Sequence, residues 1–93
     1  MAYIFEWDPK KAEANVRKHG VTFEEACTVF ADQLSLLMSD PDHSIEEARF
    51  IVLGASERSR LLVVAFAERP PRTRLISSRR ATPRERRLYE EES

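Results

Sequence analysis

The residues best equipped for chemistry lie between positions 69 and 87, which read RPPRTRLISSRRATPRERR. Eight arginines stand there against one acid, Glu85, in a chain of 93 residues whose net charge is −1. A guanidinium keeps its charge at any physiological pH and offers a planar fork that fits phosphate oxygens. So dense a set of forks marks the segment as the nucleic-acid-facing part of the molecule. The rest of the chain is acidic. Residues 1–68 hold seven Lys and Arg against twelve Asp and Glu, and positions 20–48 hold seven acids with no Lys or Arg. Two surfaces of opposite sign are implied, one attracting phosphate and one repelling it.

Proton transfer near neutral pH falls most readily to histidine, whose ordinary pKa is about 6.5. The chain has two, His19 and His43. His19 sits in Lys18-His19-Gly20, where a histidine before a helix end also serves the helix dipole; His43 reads as a turn residue. Arg79 and Arg80 leave the last strand just ahead of a helix start, one expected to aim at an open sheet face and the other at solvent or the helix. Arg49 and Arg60 begin strands, positions where arginine ordinarily pairs with a nearby acid. Tyr89 reads as an apolar anchor of the last helix, Cys27 as a core thiol, and Phe5 and Trp7 as core aromatics. No Cys/His set has metal-ligand spacing, and a lone cysteine closes no internal disulfide.

These side chains need a scaffold. With 42% apolar and 33% charged residues, the chain reads as one folded domain over 1–93, without internal repeats, signal peptide or membrane span. Tyr3–Trp7 alternates as a short strand. Asp8-Pro9 starts a helix that runs to His19 and stops at Gly20; its apolar face is expected at Ala12, Val16 and His19, with Lys11, Asn15 and Lys18 as a polar stripe. Thr22 and Glu25 form a capping box for a short second helix, with Phe23, Ala26, Cys27 and Phe30 as its stripe. Leu34–Ser39, Arg49–Ala55, Arg60–Ala67 and Arg72–Ser78 read as four β-strands, the third central and covered on both faces. The acidic loop DPDHSIEEA joins the first two, and links of hairpin length join the rest antiparallel. In the last strand Arg72, Arg74 and Ile76 are expected on one face, and Thr73, Leu75 and Ser77 on the other. Thr82 and Glu85 form a second capping box, opening a helix over Pro83–Glu91 that carries Arg84, Arg86 and Arg87. The expected class is α+β: a short strand, two helices, a four-stranded antiparallel sheet and a closing helix.

FEWDPKKAEANVRKHGVTFEEA and RLISSRRATPRERRLYEE, with DPDHS and Arg49-Phe50 between them, resemble the BrnT family of bacterial toxins in order and spacing. The resemblance runs over essentially the whole chain. It implies a RelE-like fold and ribonuclease activity on messenger RNA that restrains translation in the cytoplasm. It also implies a BrnA antitoxin that binds the toxin in a hetero-oligomer and carries the only contact with operator DNA. On that footing Arg79, His19, Arg80, Arg49 and Arg60 are the catalytic candidates. Lys18, Lys11, Arg72, Arg74 and Arg84 are the RNA-binding ones, with no metal and no cofactor. Two rival readings use the same arginines: a nucleic-acid-binding module without catalysis, and a protein-interaction domain.

Overall fold

The computed structural model describes residues 3–40 and 48–92. His43 and most of the acidic loop lie outside the described residues. The elements are β1 (Phe5–Glu6), α1 (Pro9–His19), α2 (Phe23–Thr28), a 3₁₀ turn (Val29–Ala31), β2 (Leu36–Ser39), β3 (Arg49–Ala55), β4 (Leu61–Arg69), β5 (Arg72–Arg80) and α3 (Pro83–Glu92). Each helix start follows its expected cap. The Asp8 carboxylate accepts the Lys10 amide, Thr22 Oγ1 accepts the Glu25 amide, and Thr82 and Glu85 exchange both bonds of a capping box. Gly20 ends α1 in the left-handed region at φ 69°, where a side chain would be strained.

The sheet has five strands in the order β1-β5-β4-β3-β2. This corrects the expected four-stranded antiparallel sheet: β1 joins as a fifth strand, parallel to β5, with Phe5 opposite Thr73 and Glu6 opposite Arg74. Period-2 alternation identifies a strand but says nothing about its neighbour, and β1 is only two residues long. β4 is central, as its apolar run requires.

One face of the sheet is covered by α1, α2 and the 3₁₀ turn. Its core joins Val52, Leu62, Val64, Phe66 and Leu75 of the strands to Val21, Phe23, Ala26 and Val29, with Phe5, Trp7, Cys27 and Phe30 packed around it. Burial, reinforced by the charge of Glu24, pushes the Cys27 thiol up to about 11, which leaves it inert at neutral pH. The opposite face is covered only in part. α3 closes one end of it through Tyr89, over Leu53, Leu61 and Val63, and the Tyr89 hydroxyl donates to Asp32 at 2.6 Å. That bond, followed by burial, raises the Tyr89 phenol to about 12. Asp32 also accepts the Leu34 and Ala55 amides, so one carboxylate ties the 3₁₀ turn, β3 and α3 together.

Two expectations about helix faces are corrected. On α1 the buried polar residue is Asn15, while Val16 is exposed. Asn15 donates to Val21 O (2.9 Å) and Ser78 O (2.8 Å) and accepts the Ser78 amide (3.0 Å), pinning α1 to β5. Three satisfied bonds make this amide a better occupant of the interface than a valine. On α2, Glu25 does not reach back to its cap. It is turned inward, to Ser56 and Arg60.

Candidate nucleic-acid interface

A bulge in β5 decides where the arginines go. Ala65 pairs with Ser77 and Phe66 with Leu75, which leaves Ile76 without a counterpart. Paired residues on neighbouring strands share a face. Thr73, Leu75 and Ser78 are buried on the face covered by α1 and α2. Ser77, expected beside them, instead joins Arg72 and Arg74 on the open face. Past the bulge Arg79 lies opposite Val63 and also belongs to the open face, whereas Arg80 lies opposite Leu62 on the α1 side. The extra residue in a bulge carries out this re-aiming.

The open face is then read row by row. Arg49 lies opposite Ala67, Ala67 opposite Arg74, and Arg74 opposite Glu6. The next row is Ile51, Ala65 and Ser77, and the next Leu53, Val63 and Arg79. Ala65 and Ser77, with the fully covered Ala67, form a strip of small residues, the trough, flanked by arginines from β3 and β5. Two strand residues advance roughly 7 Å, so the Arg74 and Arg79 rows stand roughly 13 Å apart. Glu6 holds the far end, with its carboxylate 3.5 Å from Arg74 and 3.9 Å from Arg72. Glu6, Ser77 and the alanine strip were missed in the sequence. Glu6 had a legible signal: it alternates with the core aromatics Phe5 and Trp7 and must face away from them.

Arg79 is held end-on by Glu85, with Nη1 2.8 Å from Oε1 and Nη2 2.9 Å from Oε2, while Nη1 also donates to Arg80 O at 3.3 Å. A guanidinium has five N–H donors. The side edge, made of Nε–H and the second N–H of Nη2, has no partner among the described residues and matches a phosphate in bidentate fashion. The Arg79 pair and the Thr82 cap hold the Glu85 carboxyl down at about 2 against the cost of its burial, and Glu85 in turn raises the Arg79 guanidinium. Arg79 is therefore fixed in orientation yet keeps a usable edge.

Arg60 is built differently. Its Nε and Nη2 both engage Glu25, and Nη2 also donates to Gly20 O at 3.2 Å. Glu25 is only 3% exposed and is held below the usual carboxylate range chiefly by that Arg60 bond. Arg60 thus clamps the α1–α2 junction to the start of β4. The other candidates divide between the two faces. Asn15 anchors α1 beside Ser78, so Lys18 and His19 lie on the Arg80 side, away from Arg79. Lys11 and Lys18 are exposed, His19 is half-buried, and Arg84 is exposed at the start of α3. Among the described residues no three His, Cys, Asp or Glu side chains gather as metal ligands.

The comparison with known proteins follows the same lines. A sequence profile described as "Ribonuclease toxin, BrnT, of type II toxin-antitoxin system" matches residues 7–85. The chain belongs to the BrnT ribonuclease toxin family. The fold is similar to the 1.1 Å crystal structure of the Brucella abortus ribonuclease toxin BrnT, with a TM-score of 0.68 and 19% identity, covering 87% of this chain and 99% of that one. Among proteins of curated function none matches by sequence. The BrnT likeness, with a five-stranded sheet, replaces the broader RelE-like expectation. Among the described residues no helix is long and apolar enough to cross a membrane.

Proposed function

We propose that the chain, acting as a single toxin domain in the cytoplasm, is a metal-independent endoribonuclease that cleaves messenger RNA and so inhibits translation. The observation that carries this reading is the arginine trough, and above all the free side edge of Arg79. In the reaction a ribose 2′-oxygen attacks the neighbouring phosphorus, its proton leaves to a base, and the 5′-oxygen departs with a proton. The products are a 2′,3′-cyclic phosphate and a 5′-hydroxyl. Negative charge builds on the phosphate oxygens in the transition state. The Arg79 edge meets that charge with two N–H groups already oriented by Glu85, so little reorganisation is needed. Arg49, Arg72 and Arg74 hold the flanking phosphates along the trough. Arg80, Lys18, Lys11 and His19 guide RNA around the end of the sheet, and Arg84 does so from α3.

A BrnA-like antitoxin neutralises the toxin in a hetero-oligomer by covering the trough, and operator DNA is contacted through that antitoxin alone. Separation of His19 from Arg79 favours one rival, a module that binds RNA without cutting it. Incubating purified RNA with the chain in excess EDTA at low salt separates the two. Fragments ending in cyclic phosphate are the expected result, and intact RNA that is nonetheless bound would support the rival.

A further inference from the structure

On the face covered by α1 and α2, the helices stop short of the β2 edge. They leave an apolar well of about 250 Å³ whose lining includes Tyr3, Phe30, Leu37, Phe50 and Phe66, with Glu68 at the rim. Small-molecule sites ordinarily start at about 300 Å³, so the space suits one or two protein side chains better than a free substrate. The walls are preformed. The Phe30 and Phe66 rings meet edge-on at 5.0 Å, Phe50 stacks on Phe66 at 5.7 Å, and Tyr3 tilts against Phe30 at 5.1 Å. Leu37, 64% exposed, overhangs the mouth. Leu34 is exposed just ahead of β2, Met38 is exposed on the other face of that strand, and among the described residues β2 pairs only with β3. Lone exposed apolar residues need no explanation, but an aromatic well beside an open strand edge marks a protein-docking site.

Charge selects the occupant. Among the described residues, the stretch 20–40 that supplies this flank has no Lys or Arg and carries Glu24, Asp32 and Asp40 besides the neutralised Glu25, and Glu68 adds a carboxylate at the rim, so RNA is repelled from it. A second copy related by a two-fold axis would set the Glu68 rim against itself. A cationic polypeptide is attracted.

We propose that the well anchors the antitoxin. An apolar side chain of a basic antitoxin segment enters between Tyr3, Leu37 and Phe50, a neighbouring Lys or Arg meets Glu68, and the segment then crosses β2 to reach the arginine trough on the other face. This rests on the toxin reading above, but it concerns a surface remote from the trough. Loss of such an anchor weakens binding by about 10–100-fold.

The test uses the intact chain and the purified product of the gene immediately downstream. The double variant Leu37→Arg/Tyr3→Ala is compared with Val16→Arg, an exposed site on α1, by calorimetric titration and by RNA cleavage without partner. The expected result is a Kd weakened about 100-fold in the double variant and within about 3-fold of the parent in Val16→Arg, with cleavage by the free double variant unchanged. A Kd within about 3-fold in the double variant, or no complex with the parent chain, overturns the anchor. So does a parent dimer in gel filtration that Leu37→Arg dissolves. A parent that fails to cut RNA but binds the partner through the well removes the ribonuclease reading and leaves the anchor standing.

Discussion

Two arginine–glutamate pairs, drawn from similar-looking stretches of sequence, have opposite uses. Arg60 and Glu25 meet where the carboxylate is 3% and the arginine 22% exposed; Arg79 and Glu85 meet at 41% and 27%. Glu25 takes the side edge of Arg60, and the Gly20 carbonyl takes a further N–H. Glu85 takes the end of Arg79 and leaves the side edge open. A forked ion pair thus states only that an arginine is oriented. Which edge is consumed, and how far water reaches, decides between holding the fold and holding a substrate.

The contrast is sharpest if the pairs are broken one at a time. Glu25→Ala strands Arg60 at the junction of α1, α2 and β4, and breaking such a pair costs about 3–5 kcal/mol. A urea titration should show the midpoint collapse, and one near that of the parent would make the clamp dispensable. Arg79→Ala should cut RNA cleavage by about 10²–10³ while costing stability about 1 kcal/mol or less, as a half-exposed pair does. Full activity in a single-turnover assay would remove Arg79 from the site.

Acid distinguishes the pairs next. The folded Glu85 carboxyl sits at about 2, below its ordinary 4.5. Its contribution is therefore complete above about 4.5 and drains as pH falls towards 2. After allowance for solvent screening it amounts to about 1–2 kcal/mol. Urea midpoints of the parent and Glu85→Gln should differ at pH 7, draw together as pH falls below about 4.5 and converge only below about 2; a constant gap would mean the shift is absent. The smallest effect is expected at Arg74. Arg74→Gln should reduce the slope of log K against log salt for single-stranded RNA by about 0.7, the share of one phosphate, and an unchanged slope would place Arg74 off the RNA track.

Much of this scaffold was legible because local chemistry agreed with the tertiary result. Asp8, Gly20, Thr22 and Thr82 mark helix ends where the structure has them, and the apolar run of β4 named the central strand. The failures were long-range. Glu25 had a local partner, its cap, and a distant one, Arg60, 35 positions away; burial beside a full charge outweighed a surface capping bond. Asn15 looked like part of a polar stripe because its partners at Val21 and Ser78 become neighbours only after folding. The arginine cluster was visible in composition alone. Its division into a trough and an opposite flank was not, because nothing in RLISSRR announces which residue is left unpaired.

The bulge at Ile76 also has a bearing on what holds such a surface in place. A strand is a binary code in which odd and even positions address different sides, and one supernumerary residue inverts every address downstream. Were Ile76 to pair with Ala65, Arg79 would move opposite Leu62 and the two arginines would exchange sides of the sheet with no change of sequence, whereas deleting Ile76 would leave both where they are. The reactive end of β5 is therefore most sensitive to whatever keeps Ile76 out of the ladder.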